Sequence, residues 1–128
     1  MDVETSEMSR RTWTAFPGAV YFRAMARFLV TYHGGGAPQG DAEKQQAMAD
    51  FMAWAQRVGP SLVDPGAPLG SSQLVSPGAV SDGPADGPAA GYSIVEAENL
   101  STAVALVRNH PFVGRGGSLL VSEAVSPD

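Results

Sequence analysis

The sequence predicts an α+β protein in which an antiparallel sheet carries two helices on one face. Stretches in which apolar and polar residues alternate indicate strands, and two longer stretches with apolar residues at helical spacing indicate helices. The order along the chain is strand, helix, two short strands, strand, helix, strand. This order is close to the split βαβ arrangement of ferredoxin-like folds.

Length and composition fit one small domain of 128 residues. The apolar fraction of 44% allows a core, while 15 glycines and 10 prolines fit short elements joined by many turns. There is no cysteine, which excludes disulfides, thiolate nucleophiles and Cys-ligated zinc. No apolar run reaches the length of a transmembrane helix, so we expect no membrane partner, and we expect a cytoplasmic protein.

The charge balance argues against nucleic acid as a partner. The net charge is −5, and residues 1–24 hold three acidic and three basic side chains, so the whole excess lies on residues 25–128. An acidic domain without a cluster of Lys and Arg is a poor match for nucleic acid or for an anionic membrane.

Residues 1–24 form an N-terminal extension that differs from the predicted domain at 25–128. The pair Arg10-Arg11 precedes an apolar stretch, as in a signal peptide. However, Pro17-Gly18 interrupts that stretch, Arg23 closes it, and no small-residue cleavage site follows. We therefore expect an extension that is partly disordered or packs on a partner subunit.

The first strand and the first helix are the opening elements of the domain. The strand is predicted at Ala26 to His33, and Gly34-Gly35-Gly36 ends it. The helix is predicted over Gly40 to Val58, with Asp41 as its N-cap. Its buried stripe is predicted to contain five apolar residues, with Trp54 on the flank: Met48, Phe51, Met52, Ala55 and Val58.

The middle of the chain is rich in Pro and Gly, and two short strands are predicted near Ser61–Val63 and Gln73–Val75. Pro68 excludes a long central strand there. Asp82 and Asp86 each begin an Asp-Gly-Pro tripeptide, a sequence that favours a tight turn.

The last third of the chain is the most regular. A strand is predicted over Gly91 to Ala97, and Asn99 is the predicted N-cap of a helix from Leu100 to Asn109. The stripe of that helix is predicted to contain four residues: Leu100, Ala103, Val104 and Val107. Pro111 ends the helix, residues 114–117 form a turn, and Ser118 to Ala124 is the last strand.

The predicted sheet has one face that the two helices leave uncovered. Apolar residues occur on that face too, for example Leu120 between Ser118 and Ser122. A second copy that packs sheet against sheet would cover it, so we expect a homodimer.

Several segments resemble the YCII-related family, also called DGPF-domain proteins, of the dimeric α-β barrel superfamily. The resemblance covers residues 25–124, and its segments are Phe28 to His33, Val80 to Pro84, Gly91 to Ala97, Leu100 to Val107 and Gly116 to Val121. It implies a dimeric α-β barrel without a metal or other cofactor. Related enzymes act on phenolic or lactone-type small molecules, and some DGPF proteins are associated with alternative sigma factors. The chain departs from the family pattern at Ala85 and His110 and in its second Asp-Gly-Pro.

His33 is the first candidate catalytic residue. It ends a strand beside three glycines, where a histidine has room to act as a general base on a bound substrate. Asp82 is the candidate carboxylate that would orient it, with Asp86 or another nearby acid as the alternative. The structural alternatives are an exposed histidine at the end of a strand and an ordinary Asp-Gly turn.

The other candidates would bind a ligand. Tyr92 and Glu96 share one strand face, and Arg27 and Arg115 are the natural partners for an acid on that face. His110 follows the second helix, where the helix dipole favours an imidazolium. The two histidines lack a third ligand at metal-site spacing, so we expect no metal. No nucleotide-binding motif occurs.

Two functions remain open. One is a dimeric module that binds a small molecule or a partner protein without catalysis. The other is a cofactor-free enzyme, of isomerase or lyase type, acting on a small aromatic or enolisable substrate with His33 as general base. The second requires that His33 and a carboxylate meet within hydrogen-bond reach in one cleft.

Overall fold

The computed structural model describes residues 14–16, 20–22, 25–36, 38–83 and 89–125. Most of the predicted extension, including Trp13, lies outside these ranges, as do the side chains of residues 14–16 and 20–22 and the second Asp-Gly-Pro at Asp86. The elements in chain order are β1 (Thr14–Phe16), β2 (Val20–Phe22), β3 (Ala26–Gly34), α1 (Gly40–Val58), β4 (Leu62–Pro68), β5 (Gln73–Ser76), β6 (Ala79–Asp82), β7 (Gly91–Ala97), α2 (Leu100–Val107), α3 (Pro111–Gly114) and β8 (Gly117–Ala124).

A four-stranded sheet in the order β4-β7-β3-β8 forms the centre of the fold. All three strand pairs are antiparallel. The prediction of an α+β fold with an antiparallel sheet is therefore confirmed. The pairs β1–β2 and β5–β6 are separate two-stranded hairpins.

The core lies between the helices and one face of this sheet, which we call the inner face. Phe28 and Val30 of β3 and Val95 of β7 are fully buried there, together with Trp54 of α1. Ala103 and Val107 complete the core from α2. Burial of a large apolar side chain contributes roughly 1.5–3 kcal/mol to stability, so this small set accounts for much of the packing energy.

The apolar stripe of α1 differs from the prediction. Trp54 is only 1% exposed and is the one buried residue of the helix, whereas Met48 and Met52 are 62% and 54% exposed. Phe51, Ala55 and Val58 pack against the core as predicted. Successive side chains on a helix point about 100° apart. Packing against the sheet favours the orientation of α1 in which the large indole ring of Trp54 fills the core.

The N-terminus of α1 also differs from the prediction. Gln39, not Asp41, is the N-cap, and its side chain makes no capping bond. Instead the backbone N–H of Gln39 donates to Glu43 Oε1 at 2.7 Å. The carboxylate from the first turn thus partners a backbone donor that precedes the helix, and it suits the positive end of the helix dipole.

The second helix begins as predicted but buries a narrower stripe. Asn99 Oδ1 accepts the Thr102 N–H at 2.9 Å, which confirms Asn99 as the N-cap. Ala103 and Val107 are buried, but Leu100 and Val104 are 50% and 42% exposed. The helix ends at Val107 rather than at Asn109.

The two edges of the sheet differ in regularity. β4 runs seven residues to Pro68, longer than predicted, and its pairing with β7 shifts register twice. Gly66 lies in that irregular part with φ 75°, and a Cβ there would meet the Tyr92 carbonyl. The opposite edge, β8, pairs with β3 without a register shift.

The hairpin β5–β6 combines a predicted strand with one that was not predicted. β5 (Gln73–Ser76) matches the strand predicted near Gln73–Val75, whereas β6 was not predicted and ends at Asp82. The turn predicted to begin at Asp82 includes Pro84, which lies outside the described residues. The chain reverses between β5 and β6 at Pro77-Gly78, where Gly78 has φ 76°. Proline followed by a glycine with positive φ is the signature of a type II turn.

A third, short helix follows α2 and was not predicted. α3 occupies Pro111–Gly114, where the sequence indicated only the end of a helix and a turn. The ring of Phe112 lies against two glycines at the end of the sheet, because a Cβ added at Gly35 or Gly117 would contact it. This glycine slot positions α3.

Candidate functional site

Four of the six predicted site residues share the outer face of the sheet, the face opposite the helices. These four are Arg27 and His33 of β3, and Tyr92 and Glu96 of β7. The strand register places Arg27 opposite Glu96 and Thr31 opposite Tyr92. Alternate residues of these strands are buried on the inner face, so the remaining ones face outward. The predicted sharing of one face by Tyr92 and Glu96 is therefore confirmed.

An ion pair marks one end of the outer face. Arg27 Nε donates to Glu96 Oε2 at 3.3 Å, and both side chains are more than a third exposed. Arg27 is thus the partner of Glu96, as the sequence indicated. An exposed ion pair of this kind adds little stability because water screens its charges. Since both side chains are exposed, the charges are also accessible to a ligand.

The middle of the outer face is apolar. Leu29 lies directly opposite Ile94, and Leu120 lies opposite Thr31 on the other side. Leu29 is 41% and Leu120 is 58% exposed, whereas Ile94 is half-buried. The described elements therefore leave a contiguous apolar area on this side of the sheet.

His33 lies at the other end of the outer face. It is half-buried, and its Nε2 is hydrogen-bonded to Thr31 Oγ1 at 2.8 Å. Ser118 is its neighbour across the strand pair. With Tyr92 opposite Thr31, the polar groups at this end are thus an imidazole and three hydroxyls.

The structure does not bring His33 and Asp82 together as a hydrogen-bonded pair. Asp82 is exposed at the end of β6, in a hairpin that is not part of the central sheet. Among the described residues, the hydrogen bond of the His33 side chain goes to Thr31. The predicted orienting role of Asp82 therefore has no contact to support it.

His110, the sixth candidate, lies on the opposite side of the sheet and is 3% exposed. Its Nδ1 accepts the Phe112 N–H at 3.0 Å and thereby caps α3. Its Nε2 is hydrogen-bonded to Tyr32 Oη at 3.0 Å. Contrary to the prediction of an imidazolium favoured by the dipole of α2, His110 is a buried cap of the next helix.

A hydrogen-bond chain continues from His110 into the sheet. Tyr32 Oη lies 2.6 Å from Ser93 Oγ, and Ser93 Oγ donates to the Pro65 carbonyl at 2.8 Å. We call the sequence from Phe112 through His110, Tyr32 and Ser93 to Pro65 the His110 chain. It connects α3 to β3, β7 and the edge strand β4.

The two ends of the His110 chain determine the position of every hydrogen in it. The Phe112 N–H can only donate, so Nδ1 of His110 carries no proton and the neutral ring bears its hydrogen on Nε2. The Pro65 carbonyl can only accept, so Ser93 donates to it and accepts from Tyr32. Tyr32 consequently accepts a hydrogen bond from His110 and donates one to Ser93. The hydrogen positions deduced from the two ends of the chain therefore agree.

Burial sets the protonation states within this chain. Burial, together with the positive charge of Arg115, lowers the pKa of His110 from 6.5 to about 4. Burial also raises the pKa of the Tyr32 hydroxyl, although its hydrogen bond with Ser93 opposes this. Both groups are therefore neutral around pH 7.

Aromatic rings enclose His110 on several sides. The ring centroid of Trp54 lies 4.3 Å from that of His110, and those of Tyr32 and Phe51 lie at 4.9 and 5.8 Å. Trp54 Nε1 donates to the Leu106 carbonyl at 3.2 Å, which fixes the indole between α1 and α2. These contacts position the imidazole for its two hydrogen bonds.

A pocket of about 310 Å³ lies beside this cluster, between the loop after β3, the first half of α1 and the turn after α3. Arg115 Nη1 faces Asp50 Oδ2 there at 3.9 Å, and Asp50 also accepts from Gln46 Nε2 at 2.8 Å. Arg115 therefore pairs with Asp50 and not with an acid of the outer face. The lining residues are Gly36, Pro38, Glu43, Gln46, Ala47, Asp50 and Arg115.

The residues that sequence reasoning missed are Tyr32, Ser93 and Phe112. One signal was present in the sequence, because Tyr32 and Ser93 occupy positions in phase with Phe28, Val30 and Val95. A polar side chain on a buried strand face needs a partner. The partner itself, His110, is 78 residues away from Tyr32 along the chain, so spacing gave no indication of it.

The described residues contain no cluster of three His, Asp or Glu side chains suited to a metal ion. In the same ranges, none of the helices has the length and apolar character needed to cross a bilayer.

Comparison with protein-family models and with curated proteins finds no match to this chain.

Proposed function

We propose that this chain is one protomer of a homodimeric, non-catalytic binding module. Two sheets pack outer face against outer face, and a small molecule binds between them. The strand order β4-β7-β3-β8, with β3 and β7 in the middle, supports a ferredoxin-like arrangement of each protomer. The observation that carries the proposal is the exposed apolar area of Leu29, Ile94 and Leu120 on the outer face.

A second copy of the chain is the occupant that fits this face best. A two-fold dimer uses the same surface on both copies, and sheets stack face to face with their apolar side chains interdigitated. The apolar area is bounded by the Arg27–Glu96 ion pair at one end and by His33 at the other. Apolar centres with polar rims are typical of protein interfaces.

The chemistry of the outer face suggests the class of ligand. Leu29, Ile94 and Leu120 supply an apolar floor, whereas Thr31, His33 and Tyr92 supply hydroxyl and imidazole groups at one end. Small-molecule sites combine mainly apolar walls with a few such polar groups. The ligand we propose is a small aromatic molecule with one or two polar substituents.

Membership of the YCII-related family is part of the same proposal. Its support is the segment Gly91 to Ala97, which forms a central strand of the sheet, and the helix Leu100 to Val107, which packs on it. Catalysis is not part of the proposal, since the hydrogen bond of His33 within the described residues goes to Thr31 and involves no carboxylate.

Sedimentation equilibrium tests the dimer directly. The wild-type chain is expected at twice the mass of one protomer. Leu120→Asp places a charge in the centre of the proposed interface, where an unpaired buried charge is strongly unfavourable, and is expected to sediment as a monomer with unchanged far-UV circular dichroism.

Leu74→Asp is the matched control. Leu74 is 48% exposed, similar to Leu120 at 58%, but it lies on the hairpin strand β5. This variant should remain dimeric. A monomeric wild-type chain, or two variants that dissociate equally, would refute the proposed interface.

A further inference from the structure

The cap of α3 depends on a group that can change its charge. Phe112 N–H donates to His110 Nδ1, and the chain of hydrogen bonds described above leaves that nitrogen without a proton. Pro111 has no N–H, so the Phe112 N–H is the first donor of the helix. The backbone of α3 also makes its own hydrogen bonds, from the Val113 N–H to the His110 carbonyl and from the Arg115 N–H to the Pro111 and Phe112 carbonyls. The cap adds a side-chain bond to these at the start of the helix.

Protonation of His110 removes the cap. The second proton of an imidazolium must sit on Nδ1, where it would point at the Phe112 N–H, so that two donors face each other. His110 has no second acceptor nitrogen to offer. The bond from Nε2 to Tyr32 survives, because Nε2 carries a hydrogen in both states.

The described residues that surround the His110 ring offer an imidazolium no counter-ion. Tyr32 approaches from β3, Phe51 and Trp54 from α1, and Arg115 from the turn after α3. The ring face of Trp54 attracts a cation, but it does not replace the lost acceptor.

The charged groups nearby add to this effect. Arg115 repels a second positive charge, and its own partner is Asp50. In the described part of the chain, no hydrogen bond of the His110 side chain goes to a carboxylate.

Two surfaces depend on the position of α3. The Phe112 ring covers Gly35 and Gly117 at the end of the sheet. Arg115 follows α3 directly and forms one wall of the pocket beside Asp50. Movement of α3 would therefore uncover the glycine slot and remove the cation Arg115 from the lining of that pocket.

We propose that α3 is an acid-released flap, latched by the bond from the Phe112 N–H to His110 Nδ1. Protonation of His110 releases the latch, exposes the slot under Phe112 and opens the pocket beside Arg115. The strands and α1 stay in place, because their own hydrogen bonds do not involve His110 Nδ1. The device does not depend on whether the chain is a dimer.

The sign of the pH dependence follows from the two protonation equilibria. The pKa of His110 is 6.5 when the ring is free and about 4 in the closed state. The closed state is therefore fully favoured above about pH 6.5 and loses its advantage as the pH falls toward 4.

Nitrogen NMR of ¹⁵N-labelled histidine is the first measurement. At pH 7 His110 should be the neutral form with its hydrogen on Nε2, and its titration should fall well below 6.5. A protonated Nδ1 at pH 7, or a titration at 6.5 or above, would overturn the proposal.

Hydrogen exchange monitored by mass spectrometry at pH 7 and at about pH 4 is the second. After correction for intrinsic rates, amides of residues 112–117 should lose protection by about tenfold or more, while β3 and β7 keep theirs. Loss of protection across the whole sheet, or unchanged protection of residues 112–117, would contradict a local flap.

His110→Asn is the variant that separates protonation from packing. An asparagine side chain can accept the Phe112 N–H as a helix cap and does not titrate, so residues 112–117 should stay protected at both pH values. His33→Asn is the matched control, and it should open like the wild type. If residues 112–117 of His110→Asn lose protection at acid pH as much as those of the wild type, the latch is excluded. If that variant does not fold, the loss of protection in the wild type must follow the titration curve of His110.

Discussion

At the scale of single residues, Ser93 shows how one hydroxyl supports a buried polar path. It is fully buried, accepts from Tyr32 and donates to the Pro65 carbonyl. The side chain thereby satisfies a buried phenol and a backbone carbonyl of the edge strand together. Removal of one partner costs more than the bond itself contributes, because the groups left behind are desolvated.

Ser93→Ala is therefore expected to lower the free energy of unfolding by about 2 kcal/mol. Urea denaturation followed by circular dichroism measures it. Ser81→Ala is the control, since Ser81 is an exposed serine on a strand, and it should change stability by less than about 0.5 kcal/mol. Equal effects in the two variants would mean that the His110 chain adds no stability at Ser93.

Sequence reasoning was most successful for single residues with local roles. Asn99 could be identified because its partner, the Thr102 N–H, is three residues away. The role of His110 could not, since its environment is assembled from α1, β3 and α3. Helix-dipole reasoning gave the wrong charge state because it treated the position as exposed, whereas burial decides it.

At the scale of elements, the long helix and the strands of the domain other than β6 were predictable, although β4 extends further than expected, to Pro68. Periodicity identifies an element but fixes the buried direction of a helix only approximately. In α1 both the Met48–Met52 side and the Trp54 side carry apolar residues, and packing on the sheet selects Trp54.

Trp54→Ala is expected to cost about 4 kcal/mol of stability, the usual range for loss of a large aromatic side chain from a core. Met52→Ala, two residues earlier and 54% exposed, should cost less than about 1 kcal/mol. Thermal and urea denaturation of both variants measure the difference. A larger loss for Met52→Ala would favour the stripe that periodicity alone predicts.

Within the domain, the strand β6 and the helix α3 were not predicted, whereas β5 was. The strand Ala79 to Asp82 contains the small residues Ala79 and Ser81 and leads into an Asp-Gly-Pro. Its sequence therefore indicates a turn more strongly than a strand. Its pairing with Gln73 to Ser76 is what makes it a strand. In α3, Phe112 has a place to pack only because Gly35 and Gly117 lie close together in the folded sheet.

At the scale of the whole molecule, the two sides of the sheet have different roles. The inner side forms the core and contains the His110 chain, whereas the outer side presents Leu29, Leu120 and the His33 end to solvent in the described structure. The shared face of Arg27, Tyr92, Glu96 and His33 was predictable from period-two alternation. The placement of Asp82 in a separate hairpin was not predictable in this way, because alternation did not indicate the strand β6.

A ligand between two sheets should be detectable with a library of small phenols screened by saturation-transfer NMR. We expect some phenols to bind, and to change the backbone chemical shifts of the wild-type protein mainly at Thr31, His33 and Tyr92. Their binding should be lost in the monomeric Leu120→Asp variant. Leu74→Asp should bind like the wild type. Hits that map to the pocket beside Arg115 instead would place the ligand site on the other side of the sheet.

The unequal edges of the sheet limit how far the protein can polymerise. An open strand edge can recruit a further strand, and repeated addition at two open edges builds a fibre. In the described part of this chain, β4 is a poor template, because Pro65 and Pro68 lack N–H donors and the strand shifts register twice. Of the two described edge strands of the central sheet, only β8 presents a long regular edge. Strand addition at β8 would leave the irregular β4 edge, so growth in that direction would not continue through the sheet.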